Sequence, residues 1–161
     1  MRHKCPFHIR NFEQIKHCTW KIVATCLSII FLTFYSPSIY AEDVVVVVNK
    51  ETHTTSPISR HVLSAIFGMR LTTWSDGMAI KVYVLPDENH IHSLFCKQVL
   101  HIFPHQLRSA WDRLVYSGTG QSPDVLSSES DMRARLKNTP GSIGYLTKET
   151  LDDSLTILPV E

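Results

Sequence analysis

Residues able to do chemistry are few in this chain and crowd its middle. His90, His92, His101 and His105 bring four imidazoles within sixteen positions, and zinc accepts four nitrogen donors. Their spacing does not converge: residues two apart on a helix face different ways, and Pro104 separates His101 from His105. They are expected to be solvated surface histidines, with no metal and no other cofactor. Cys96 is the only thiol after residue 41, so neither an internal disulfide nor a cysteine-ligated zinc can form there. It follows Phe95 in an apolar run and is expected as a small buried hydrophobe. Nucleophilic catalysis lacks its parts as well. There is no G-x-S-x-G elbow, and Tyr116-Ser117-Gly118-Thr119-Gly120 lacks the lysine of a phosphate-binding loop. Asp152-Asp153 reads as solvated turn charge. Trp74 and Trp111 are expected to pack rather than stack on a ligand. No catalytic residue is expected, and the chain is read as a protein other than an enzyme.

The elements that must position these groups follow from periodicity. Val44 to Val48 is an unbroken β-branched run, the pattern of a strand covered on both faces and typical of a parallel sheet. Ser59 is an N-cap for a helix whose stripe is Val62, Leu63, Ile66 and Phe67, closed by Gly68. Trp74-Ser75-Asp76-Gly77 has turn chemistry. Ile80, Val82 and Val84 alternate with Lys81 and Tyr83 as a second strand that Pro86 stops. Asp87 to His90 offers N-caps for a helix carrying Ile91, Leu94, Phe95 and Val99. Pro104 opens another, with Leu107, Ala110, Trp111, Leu114 and Val115 as its apolar stripe. Ser128 and Asp131 form a capping box before Met132 and Leu136. Asn138 to Gly141 turns into a short strand at Ile143 to Leu146, and Thr156 to Val160 is a last strand kept at an edge by Pro159. The order β-α-β-α-α-α-β-β describes one α/β domain of about 120 residues.

Residues 1–41 have a different character. A basic stretch precedes an uncharged apolar run, Ile22 to Tyr35, followed by Ser36-Pro37-Ser38-Ile39-Tyr40-Ala41. Basic region, apolar core and small terminal residue are the three parts of an export signal cleaved between Ala41 and Glu42. The apolar run is shorter than the ~20 residues that span a bilayer, which weighs against the alternative of a retained anchor. Of 16 basic and 15 acidic residues, the leader holds five and one, leaving 11 and 14 and a formal charge of −3. A mildly acidic domain is poorly suited to binding nucleic acid by phosphate neutralisation.

Three ordered motifs then carry a resemblance. Ser59-Arg60-His61-Val62-Leu63-Ser64-Ala65-Ile66-Phe67-Gly68, followed by Trp74-Ser75-Asp76-Gly77 and by Pro140-Gly141-Ser142-Ile143-Gly144-Tyr145, resembles the phosphate ABC-transporter substrate-binding proteins. The resemblance spans roughly Val44 to Leu146. It implies a type II periplasmic-binding fold, here one α/β lobe with a mixed sheet flanked by helices, residues 42–161, in the periplasm or secreted. It also implies a solute-binding role for phosphate or a similar small oxyanion, in transport or sensing. The family's Ser-Gly-Thr anion-binding turn falls on Asn89, His90 and Ile91, and its arginine on Leu85, so the resemblance leaves helix amides at residues 89–91 as the ligand site. The competing reading is a protein-interaction module of the cell envelope that reuses the lobe without a small ligand, by docking to a partner or to itself. Mass spectrometry of the exported protein is expected to find Glu42 at, or next to, its N-terminus; a mature chain that keeps Ile22 to Tyr35 would contradict the signal reading.

Overall fold

In the computed structural model, residues 42–52 and 56–161 are described; the expected leader lies outside them. The valine run forms β1 (Val44–Asn49), and four of its six residues are at most 4% exposed. Such a run needs a neighbour on either side and apolar cover on both faces. It finds β4 (Ser142–Thr147) on one side and β5 (Leu155–Ile157) on the other, both antiparallel, in registers Val44↔Thr147 and Val47↔Ile157. The parallel neighbours expected for this strand are therefore corrected: double-sided burial produced the continuous apolar run, and burial is blind to strand direction.

β2 (Lys81–Val84) lies parallel to β4 and to β3 (Asp124–Val125), giving a five-stranded mixed sheet of order β3-β2-β4-β1-β5. β1 alone runs against the rest. β3 was not foreseen, because two exposed residues after Pro123 carry no alternation to read. β4 is buried throughout, and Gly144 lets the helix that carries Met132 approach it: a Cβ there would lie 3.0 Å from the Met132 sulfur.

The helices follow their caps. Ser59 accepts from the Val62 amide and opens α1 (Arg60–Phe67), which buries Leu63, Ile66 and Phe67 and ends at Gly68. Asn89 opens α2 (His90–Leu94), which continues as a wider π-helical turn over Phe95–Leu100 and stops where His101 turns left-handed, φ 57°. α3 (Pro104–Tyr116) has Pro104 at its first position, and Gln106 Oε1 accepts from the Phe103 amide. Ser128 caps α4 (Glu129–Asn138) through the Asp131 amide. Trp74 and Trp111 are packing residues: Trp74 Nε1 donates to the Gly141 carbonyl at 2.9 Å and Trp111 Nε1 to the Phe67 carbonyl at 2.7 Å. The α3 stripe is only partly core, since Leu107 and Trp111 are buried while Val115 is 47% exposed. Among the described residues, no helix is long and apolar enough to cross a membrane.

Gly141 sits at φ +75°, and a Cβ there would meet the Ala79 carbonyl oxygen at 2.5 Å and Met78 at 2.9 Å. Left-handed strain and collision together predict that Gly141→Ala destabilises by on the order of 1–3 kcal/mol. Gly77, at φ +88° with nothing within 4 Å, is the control, and Gly77→Ala should cost less. Urea unfolding of the two variants checks the order.

Candidate functional site

In an open α/β sheet, ligands approach the carboxyl ends of the parallel strands. Here that edge collects the turn from Leu85 to Asn89 after β2, Leu126 to Ser128 after β3, and Lys148 to Thr150 after β4. Because β1 runs the other way, its first residues Glu42 and Asp43 arrive at the same edge. Among the helices that begin at this edge, α2 and α4 have different tips; α1 also starts there, where the Arg60 amide donates to the Glu161 carbonyl, and like α2 has no acid in its first turn. α4 carries Glu129 and Asp131 in its first turn, and the Glu129 carboxylate accepts from the Thr147 amide at 2.7 Å. α2 has no acid in its first turn, so its partial positive charge is uncompensated from within.

The three sequence-predicted residues meet at this α2 tip but play unequal parts. Asn89 Oδ1 accepts from the Ile91 amide at 2.8 Å, so that donor serves the cap. The Ile91 side chain is buried, whereas the His90 ring is exposed, with Nε2 3.7 Å from Glu42 Oε2. Leu85, in the arginine's place, is fully buried and donates its amide to the Tyr145 hydroxyl at 2.8 Å. A guanidinium arrives from elsewhere: Arg108 of α3 donates Nε–H and Nη2–H to the two Asp87 oxygens at 2.9 and 3.0 Å. The Arg108 guanidinium also lies 5.0 Å from the Trp111 ring centre, a stacking distance for a cation over an aromatic face. Lys148 pairs with Asp43 at 2.7 Å on the same rim.

Beneath the tip lies a polar cluster that the sequence reading missed. His92 was expected at the surface but is fully buried. Burial follows because it stands one turn before Cys96 on the inward face of α2. Its Nδ1 is 2.6 Å from the Tyr145 hydroxyl, and its Nε2 is 3.6 Å from Cys96 Sγ and 3.7 Å from Asp87 Oδ1. The Leu85 amide can only donate, so the Tyr145 oxygen accepts there and sends its own proton to His92 Nδ1. That assignment satisfies every group and leaves the imidazole proton on Nε2. Burial pulls His92 below its usual pKa, with the nearby Asp87 opposing and Arg108 adding to the fall. Burial likewise pushes the Cys96 thiol up to about 12 and holds the Tyr145 phenol well above its usual value. A neutral imidazole, thiol and phenol without solvent access make a support, not a nucleophile with its base.

Of the other histidines, His101 and His105 are exposed and apart, with His105 stacked on Phe103. No cluster of three or more metal-ligating side chains occurs among the described residues.

No family model and no curated protein matches the sequence. Solved structures do match, each over 74% of this chain. An ABC-type phosphate transport receptor from Vibrio cholerae aligns with TM-score 0.57 at 15% identity. A phosphate ABC transporter substrate-binding protein with bound phosphate, from Clostridium perfringens, gives 0.58 at 12%. PstS from Borrelia burgdorferi gives 0.57 at 20%. The fold is that of a phosphate-binding-protein lobe. The chain spans less than half the length of these three proteins, 45–47%. In this lobe, the α2 tip is reached from the strand carboxyl ends but lacks both hydroxyls that the resemblance implied. Arg108 had no local signal, being 21 residues from its partner Asp87. His92 had one, its four-residue spacing from Cys96.

A buried histidine with a depressed pKa binds its proton more readily after unfolding. Its contribution is present above the usual imidazole value of 6.5 and is lost as pH falls below it. His92→Gln keeps an acceptor for the Tyr145 hydroxyl but cannot titrate. Thermal unfolding from about pH 7.5 to about pH 5.5 should show a smaller loss of Tm in this variant than in the parent; equal losses would remove His92 as the cause.

Proposed function

We propose that this protein is an exported solute-binding module whose ligand is a small oxyanion such as phosphate, held at the α2 tip by the backbone at Asn89, His90 and Ile91. One observation carries the reading: α2 meets the carboxyl end of the parallel strands with no acid in its first turn, on a fold shared with phosphate-binding proteins. Arg108 matches the charge of Asp87, while Glu88 directly before the Asn89 cap and Glu42 beside His90 are charges that a bound anion must meet. A guanidinium has five N–H donors. Asp87 takes two, and the Arg108 side chain remains 38% exposed, so further donors are open to solvent. The neutral state of the buried cluster supports binding over catalysis. With cleavage near Ala41, the protein works in the periplasm or outside the cell, in transport or sensing.

A second reading has its own support. Two ion pairs, Lys148–Asp43 and Arg108–Asp87, and the contact of His90 with Glu42 already occupy the rim. A two-signed rim of this kind suits a protein partner in the envelope, or a second copy, docking where an opposing lobe would sit.

Calorimetry with phosphate and sulfate separates the readings. His90→Pro removes one tip amide while fitting the first helical position, and Asn89 is already extended at φ −71°, ψ 131°, as a residue before proline must be. It should weaken phosphate binding about tenfold or more, while His90→Ala, which keeps the amide, binds like the parent. Absence of heat and of thermal shift at millimolar anion removes the oxyanion reading, and concentration-dependent association would then favour the second.

A further inference from the structure

The apolar stripe of α3 is wider than the core can use. Leu107 and Trp111 are buried, but Ala110 and Leu114 are only partly covered, and they floor a groove of about 700 Å³ between α3 and α1. The α1 wall is low, formed by Ser64 and Gly68. The bond from Trp111 Nε1 to the Phe67 carbonyl clamps the two helices, so the groove is preformed and a ligand need not order it. Arg70 and Arg113 also line it, both exposed. No acidic side chain lines the groove, and among the described residues neither arginine takes part in an ion pair. An apolar floor flanked by two unmatched guanidiniums, on a domain whose formal charge is otherwise negative, has a specific complement.

We propose that this groove docks an amphipathic helix of a protein partner, with an apolar row against Ala110 and Leu114 and Asp or Glu side chains reaching Arg70 and Arg113. Its dimensions fit. The α3 residues facing it recur from Gln106 to Ser117 at helical spacing, about 16 Å of axis or three turns, which is the length over which a helix in a groove sets its anchors. Carboxylates match guanidiniums in geometry as well as sign. None of the α2-tip residues lines this groove, so the inference stands or falls separately from the oxyanion reading.

The probes are two labelled eighteen-residue helical peptides with the same Leu/Ala face, one flanked by Glu and the other by Lys, titrated by fluorescence anisotropy against the full chain. The Glu peptide is expected to bind and the Lys peptide not. The double variant Arg70→Glu, Arg113→Glu should weaken the Glu peptide by on the order of tenfold or more and transfer preference to the Lys peptide. Ala110→Trp, which fills the floor, should abolish binding of the Glu peptide. Circular dichroism and a cooperative thermal unfolding transition confirm that each variant is folded. No binding of the Glu peptide at millimolar concentration overturns the proposal, as does binding indifferent to these substitutions. So does self-association of the parent that Ala110→Trp abolishes, since the groove would then belong to a second copy.

Discussion

The Tyr145 hydroxyl is the junction on which the rest of this fold depends. It lies on the central strand β4, takes the Leu85 amide at the end of β2, and gives its proton to His92 on α2. The ring below is part of the same joint. It stacks on Phe95 at 4.0 Å with planes 7° apart and lies 6.0 Å from Phe67 of α1. One side chain thus links sheet, turn, α1 and α2. A buried amide at a strand end must have an acceptor, and here the sheet supplies it through a side chain rather than a neighbouring strand. The direction in which α2 leaves the sheet is fixed by that need.

The charges above are arranged on this support. Asp87 follows Leu85 by two residues, so fixing Leu85 also places Asp87 where Arg108 can grip both its oxygens. The ion pair is half-exposed, and its contribution to stability is small beside its effect on position. It sets a guanidinium beside a helix tip that lacks its own acid. The π-helical turn over Phe95–Leu100 belongs to the same geometry, since it carries Phe95 onto Tyr145 and Cys96 beneath His92. Helices widened in this way are uncommon and tend to occur where side-chain placement matters.

Much of this architecture was legible from local chemistry. Ser59, Gly68, Pro104 and Ser128 marked helix ends correctly, because capping is decided within four residues. The valine run was legible as buried, and the alternation from Ile80 to Val84 as a strand. What could not be read depended on distant partners. Strand direction at β1 comes from β4 and β5, not from valine. β3 is a strand only because β2 offers it an edge. His92 looked like a surface residue because composition records a side chain without the Tyr145 hydroxyl that donates to it. Asn89, His90 and Ile91 were legible as a helix start, but the arginine paired with Asp87 comes from α3, and no spacing rule connects residues 87 and 108.

The register of β1 carries one more consequence. Val44 pairs with Thr147 and Val48 with Ile143, so the middle of the sheet joins segments roughly a hundred positions apart in the chain. Everything between them is made first, and β1 waits with its edges bare. Pairings of that kind close large loops before they gain contacts, which slows folding and prolongs the life of an open intermediate. Five adjacent valines left unpaired are sticky, and the charges that flank them, Glu42 and Asp43 before and Lys50 after, oppose pairing of the waiting strand with a copy of itself.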